Sequence, residues 1–360
     1  MRRGLISWSR DEVPQAVLEA RVGRLQQAMR GQGLDAVLAY TSFAQPAPVQ
    51  WLTHFVPYWS EGLAVVFAQG APALLAALTA RVHPWIREVS HVAEVVSAPR
   101  LGESAAAFLR ERLAAKPKVG VIGLDGLPWS VGEPLIHAVG AESLVDVTAL
   151  YADLRQQADS AEFDLAKRAS AIGEVALRAI PAGATRASEV LAAVEASARR
   201  AGAEEVLLRI APDFTRNATL LRMEGDAPLG ERYAVELSVA YKGSWVRVNR
   251  CVALHGAPSS WQAAAQWLTK AALSISAGRS TPSFDALPDG GKLSAWTLES
   301  CVGVHPLSVV AAQDRPPVNA SSEGGVAVLT VELALPDGPW RDSVGLVVGA
   351  AGGHATLLAT

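Results

Sequence analysis

Cysteine is scarce in this 360-residue chain: Cys251 and Cys301 are the only two, and they form no CxxC pair. A reduced, cytoplasmic setting is therefore expected. The seven histidines (54, 83, 91, 137, 255, 305 and 354) fall in no HxH or HxxxH spacing, so each is expected to be a surface or satisfied core residue unless its place in a larger pattern says otherwise. Charge is thin as well. With 19% charged residues and a net charge of −3 there is no basic patch, which removes the electrostatic reason to expect nucleic acid or an anionic membrane surface as partner. Long apolar runs are missing. The most apolar stretch, Leu63–Ala80, is broken by Gln69, Gly70 and Pro72 and reads as strand, turn and strand or short helix, not a membrane span. Behind Arg2 and Arg3, the polar residues Ser7, Ser9, Arg10, Asp11 and Glu12 leave no room for the apolar core of a signal peptide, and none is expected. Internal repeats and low-complexity tails are absent too.

What the chain does have is core-forming material. Half of its residues are hydrophobic, and its length suits two domains at about 100–200 residues each. Leu18, Val22, Leu25 and Met29 recur at helical spacing, with Gly31 and Gly33 as the stop, and DAVLAY (35–40) reads as a buried strand. Further strands are expected at Leu63–Phe67, Ala73–Leu78, Ala93–Ser97 and Val119–Leu124, and helices at Ser104–Ala115 and Gly132–Val139. Mixed in this way they make an α/β domain over residues 1–155. The polar DLRQQADSAE (153–162) then opens a long helical pattern that ends near Ile180, where Pro181-Ala182-Gly183 breaks it. A second helix spans about Ser188–Ala201. A strand, a hairpin, a helix and a run of strands follow, so residues 156–360 read as an α+β domain.

The most informative segment is YAVELSVAYKGSWVRVNRCVAL, Tyr233–Leu254. It alternates on both sides of Lys242-Gly243, where glycine suits a two-residue hairpin turn. Counting outward from Tyr241 opposite Ser244 puts Glu236, Ser238 and Ala240 opposite Asn249, Arg247 and Trp245. The other face is apolar: Leu237 and Val239 opposite Val248 and Val246. Glu236 and Arg247 are then diagonal neighbours within reach of one another. A second hairpin is expected where Glu332, in the apolar run VAVLTVELAL, precedes Pro336-Asp337-Gly338-Pro339 and Arg341. A third runs from Ser343–Gly349 to His354–Ala359 through Gly352-Gly353. Two Glu–Arg pairs in otherwise apolar strands point to one shared interior polar site.

At this point the chain resembles the creatinase/aminopeptidase P/prolidase superfamily over nearly its whole length. RQQADSAEFDLAKRASAIGEVALRAI is similar to the helix that opens that family's pita-bread domain, and PAGATRASEVLAAVEASARRAGAEE to the helix after it. WLTHF and GLAVVFAQGAPALL resemble its first domain. The resemblance implies a creatinase-like α/β N-terminal domain followed by an α+β pita-bread C-terminal domain. In the family's peptidases two aspartates eleven residues apart, one histidine and two glutamates hold a dinuclear metal centre. Here Glu236 stands at the first aspartate and Arg247 at the second. Arg250 matches the family arginine, with Cys251 where threonine is usual. His305, in VGVHPLSVVAAQDRPP, lands one residue off the histidine register. Glu332 matches the first glutamate, and Arg341 stands at the second. Two glutamates and two arginines are already neutral, whereas a metal pair needs carboxylates and histidine. Neither metal nor cofactor is expected.

Creatinase, as the resemblance implies, hydrolyses a C–N bond without metal, holding a guanidinium group with glutamates and moving protons with histidine. By that likeness the chain is expected to be a metal-independent hydrolase or lyase acting on a small, carboxylate-bearing nitrogen compound. Glu236, Glu332 and His305 would be catalytic. Arg247, Arg250 and Arg341 would clamp a carboxylate, with Asn249 and Trp245 lining the pocket. The histidine expected before the first hairpin is not evident in APDFTRNATLLRMEGD, where Asn217 and several arginines stand instead. Two alternatives stay open: a non-catalytic pita-bread binding or scaffold protein, in which the Glu–Arg pairs are structural, and an Xaa-Pro metallopeptidase with unusual ligands. By the same likeness the chain is expected to be a homodimer in which His54, Tyr58 and Trp59 (HFVPYWSEG) cover the neighbouring subunit's pocket. GESAA at Ser104 resembles a nucleophile elbow only in letters, since it opens a helix and does not leave a strand. Most of the ten tryptophans are expected to anchor core or interface.

Overall fold

The computed structural model describes residues 7–288, 290–302, 307–315 and 321–358. The chain divides into two units, Arg2–Arg155 and Gln156–Thr360. Among the described residues no helix is long and apolar enough to cross a membrane.

The first unit runs α1 (Gln15–Gln32), β1 (Ala36–Ser42), α2 (Ala47–Thr53), β2 (Glu61–Phe67), β3 (Ala73–Ala76), α3 (His83–Val89), β4 (Glu94–Ser97), α4 (Leu101–Arg112), β5 (Val119–Ile122), α5 (Trp129–Val139), β6 (Leu144–Asp146) and α6 (Thr148–Leu154). Gly33 stops α1 at φ 64°, a left-handed conformation in which a side chain would be strained. The six strands lie in the order β4-β3-β2-β1-β5-β6. β1–β2, whose connection carries α2, and the hairpin β2–β3 are antiparallel, and the neighbours β3–β4, β1–β5 and β5–β6 are parallel. Leu38, Leu63, Val65, Leu75 and Val121 pack with Leu101, Phe108 and Leu109 of α4 and Leu135 of α5. Helix α4 starts three residues before the expected Ser104 and stops at Arg112, because Leu113 is already extended. Helix α5 starts before the expected Gly132, at Trp129, where Pro128 presets the entry.

In the second unit Asp159 caps α7 (Ser160–Arg178): its carboxylate accepts from the Glu162 N–H at 2.9 Å, and Glu162 reaches back to the Asp159 N–H at 3.3 Å. Then follow α8 (Ala187–Arg200), β7 (Glu205–Ala211), β8 (Arg232–Tyr241), β9 (Ser244–Ala253), α9 (Ser259–Leu273), β10 (Lys292–Ser300), β11 (Ser308–Ala312), β12 (Val326–Leu335), β13 (Gly338–Val347) and β14 (Thr356–Leu357). The strands make one antiparallel sheet in the order β11-β10-β12-β13-β9-β8-β7, with β14 also paired to β13. Leu237, Val239, Val246 and Val248 bury against α7 and α8. Gly173 lets α7 come close: a Cβ there would lie 2.6 Å from Val248 Cγ2. The aromatic residues Trp261, Trp267, Trp296 and Trp340 fill a second core with Leu329, Val331 and Leu333.

Candidate functional site

The site begins at a two-residue turn. Lys242 (φ 47°) and Gly243 (φ 82°) both take left-handed backbone, which suits the right-handed twist of the strands they join. Tyr241 therefore pairs with Ser244, and the register runs Ala240–Trp245, Ser238–Arg247 and Glu236–Asn249, as counted from the sequence. In the second hairpin Glu332 lies directly opposite Arg341. The two hairpins meet where Asp342 of β13 pairs with Arg250 of β9, which sets the polar face of one beside that of the other.

Across this seam runs a ladder of alternating charge. Arg341 donates through Nε to Asn249 Oδ1 (3.0 Å), through Nη1 to Glu332 (3.4 Å) and through Nη2 to Glu236 Oε2 (3.4 Å). The other oxygen of Glu236 lies 3.6 Å from Arg247 Nε. Arg247 in turn donates to Ser238 Oγ (3.2 Å) and, through Nη1, to Glu299 Oε1 on β10 (2.5 Å). The order Glu299–Arg247–Glu236–Arg341–Glu332 thus crosses five strands, and Arg209 of β7 adds a contact to Glu236 at 3.5 Å. Side-chain exposure is 5% for Glu236 and Glu299, 17–20% for Glu332, Arg341 and Arg247, and 56% for Arg209. Asn249 is fully buried and fixed on all sides: its N–H donates to Ser343 Oγ (2.7 Å), and its Nδ2 to Thr330 Oγ1 (3.3 Å). Burial pushes the Glu299 carboxyl above the usual carboxylate range, and Arg247 only partly offsets this. Among the described residues the second oxygen of Glu299, which is buried, has no hydrogen-bond partner.

The structure brings together Glu236, Glu332, Arg247, Arg341 and Asn249. Trp245 lies on the same face, two residues beyond Arg247, and is 8% exposed. Arg250 is a correction. Side chains alternate along a strand, so Arg250 projects with Val246 and Val248, away from Arg247 and Asn249. It donates to Glu174 of α7 at 2.8 Å and lies 3.7 Å from Asp342. Burial pushes Asp342 up to about 6, with the Arg250 cation pulling the other way. His305 lies outside the described residues. His54, expected in the loop that covers the neighbouring subunit's pocket, has its contacts within the first unit. It is buried, its Nδ1 lies 3.1 Å from the Val89 carbonyl, and its ring stacks on Trp8. Tyr58 and Trp59 form an edge-on pair, with Trp59 63% exposed.

Sequence reasoning missed Glu299. The signal was there: like Glu332, it is a lone carboxylate in an apolar strand, WTLESCV. Among the described residues no group of three or more His, Cys, Asp or Glu is arranged to hold a metal ion.

Residues 21–157 match the Creatinase/Prolidase N-terminal domain family. Among curated proteins none matches the sequence. Solved structures match over nearly the whole chain. The Xaa-Pro dipeptidase from Bacillus anthracis superposes with a TM-score of 0.69 at 17% identity, covering 95% of this chain and 97% of the other. An X-Pro aminopeptidase from Thermotoga maritima gives 0.70 at 15% identity, over 94% and 97%. The prolidase from Pyrococcus furiosus gives 0.66 at 15% identity, over 92% and 98%. The chain therefore joins a creatinase/prolidase N-terminal domain to a pita-bread domain and has the fold of the creatinase/aminopeptidase P/prolidase superfamily.

Proposed function

We propose that this chain is a metal-independent pita-bread protein whose C-terminal domain serves as a binding or scaffold module and has given up dinuclear-metal hydrolysis. One observation carries the reading: Arg247 and Arg341 are both committed to protein acceptors, and Arg341 spends all three of its nitrogens on Asn249, Glu332 and Glu236. The residues present do not fit a metal pair. Divalent ions take oxygen or imidazole ligands, and here positively charged groups lie within 2.5–3.6 Å of the carboxylates that would have to supply them. A dication about 4 Å from a guanidinium would be repelled by roughly 8 kcal/mol at an effective dielectric of ~20. The same commitment weakens an arginine clamp on a substrate carboxylate, which would have to displace glutamates already in place.

A second reading, a metal-independent C–N hydrolase or lyase acting on a small carboxylate-bearing nitrogen compound, is favoured by Glu299. That carboxyl keeps its proton to higher pH than usual and shares Arg247 with Glu236, as an acid–base pair would require. The test is to incubate the purified full chain with Xaa-Pro dipeptides and a panel of small amides and amidines, with EDTA and with added Mn²⁺. No turnover in any arm is the expected result. Turnover that resists chelation and disappears in Glu299→Gln would establish the second reading instead, and turnover that requires added metal would overturn both.

A further inference from the structure

We infer that β7 is a self-complementary docking edge: two copies of the chain pair their β7 strands antiparallel about a two-fold axis at Leu207, joining their C-terminal sheets into one. The inference stands apart from both functional readings above and uses no residue of the loop of His54, Tyr58 and Trp59. Its first support is an open strand edge. β7 ends the sheet, with β8 on one side only. On the outer side Ile210 exchanges both of its backbone bonds with Leu221, at 3.0 Å each. Backbone groups point the same way at every second residue, so the N–H and C=O of Val206 and Leu208 also face outwards. Among the described residues neither has a hydrogen-bond partner on that side. Leu221 closes one end of this stretch, and the other closes where the Glu204 N–H turns in to the Ala240 carbonyl at 2.9 Å. Such an edge is a template for another strand, and proteins commonly guard it with proline or lysine. Glu205–Ala211 has neither, and Leu207 stands on it 57% exposed.

The second support is charge, which selects a second copy as the occupant. Glu205, Leu207 and Arg209 share one face of β7, opposite Ala240, Ser238 and Glu236 of β8. In the two-fold pairing Val206 exchanges both backbone bonds with the partner's Leu208, and Leu208 does so with the partner's Val206. On the exposed face Leu207 then meets the partner's Leu207, and Glu205 meets the partner's Arg209 on each side of the axis. Parallel pairing in register would instead set each charge beside its own copy, which like charges disfavour. A shift of two residues would call on Ile210 or Glu204, whose backbone groups are already used. Arg209 is 56% exposed and touches Glu236 through Nη1 alone, at 3.5 Å, so its fork has donors left for the partner's Glu205. The alternation of charge across the sheet thereby continues over the axis. An isologous contact of this kind closes on itself as a dimer.

The test is the oligomeric state of the full chain by sedimentation velocity, over about 1–200 µM, where a small interface associates. Wild type is expected to dimerise. Glu205→Arg sets like charges together on both sides of the axis and is expected to weaken the dimer about tenfold or more, and Glu205→Arg/Arg209→Glu to recover it. Leu207→Cys reads the register. Directly opposite residues of a non-hydrogen-bonded pair lie about 4.5 Å apart at Cα, within disulfide reach. Diamide is expected to convert Leu207→Cys to a covalent dimer that dithiothreitol reverses. Leu221→Cys, at a similar 49% exposure but off the axis, is expected to stay uncrosslinked, as is wild type, whose Cys251 and Cys301 are both buried. A wild type that is monomeric throughout overturns the inference and leaves the edge to a strand of another protein. So does a dimer that Glu205→Arg leaves unchanged, a folded charge-swapped variant that stays monomeric, or a Leu207→Cys that crosslinks no faster than Leu221→Cys. If the charge-swapped variant does not fold, the two cysteine variants decide. None of these readouts depends on turnover, so the functional readings are judged separately by the substrate panel.

Discussion

Truncating Arg341 to methionine keeps most of the side chain's bulk and removes its charge, along with hydrogen bonds to Asn249, Glu332 and Glu236. The cost follows from what stays behind. Glu236 and Glu332 have side chains only 5% and 17% exposed, so water cannot take over from the lost guanidinium. Removing one partner of a buried ion pair costs about 3–5 kcal/mol, because the other charge is left uncompensated. Here Glu236 keeps Arg247 at 3.6 Å and Arg209 at 3.5 Å, which places the expected loss at the lower end, about 3 kcal/mol. For a unit of this size that lowers Tm by about 6–12 °C. Native-state hydrogen exchange of β9, β12 and β13 reports this unit apart from the N-terminal one. The control is Arg209→Met, whose side chain is 56% exposed and whose loss should cost less than about 1 kcal/mol. Adding Glu332→Gln to Arg341→Met should return part of the stability, since it removes one of the stranded charges. If Arg341→Met costs no more than Arg209→Met, the ladder is a set of solvated surface pairs and the reasoning built on it fails.

Two further outcomes follow from the same sheet. Asp342 has a folded-state pKa pushed up to about 6, above its ordinary value, so the native state holds that proton more tightly than the unfolded chain does. Its burial therefore penalises stability above about pH 6, and the penalty fades as pH falls towards 4. Between pH 7 and 4.5 the stability difference between wild type and Asp342→Asn should move in wild type's favour by about 2 kcal/mol, measurable by denaturant titration at each pH. At the α7–sheet contact, Gly173→Ala would push a Cβ to 2.6 Å from Val248 Cγ2. Overpacking of about 1–3 kcal/mol, partly offset by a helix-propensity gain of about 1 kcal/mol, should leave a net loss of about 1 kcal/mol. Val248→Ala in the same chain should cost less than the two changes summed, and additivity would show that the contact had relaxed.

Glu236, Arg247, Glu332 and Arg341 lie where two hairpins bring their polar faces together. The charge of the site is set by which side chains the strands present.

The sequence alone determined the local geometry. Lys242-Gly243 fixed one hairpin, Pro336-Asp337-Gly338-Pro339 marked the other, and two-residue alternation then assigned each side chain to a face. That was enough to place Glu236 within reach of Arg247, and Glu332 beside Arg341. The same count, carried one residue past Asn249, puts Arg250 on the opposite face. What only the tertiary structure decided is which strands become neighbours. A register is local, but strand order depends on edges far apart in the chain. The β9–β13 seam brings Arg341 to Glu236 across 105 residues, and together with the β10–β12 and β12–β13 pairings it brings Glu299 to Arg247 across 52. Burial, and with it the raised proton affinity of Glu299 and Asp342, likewise exists only once those layers close.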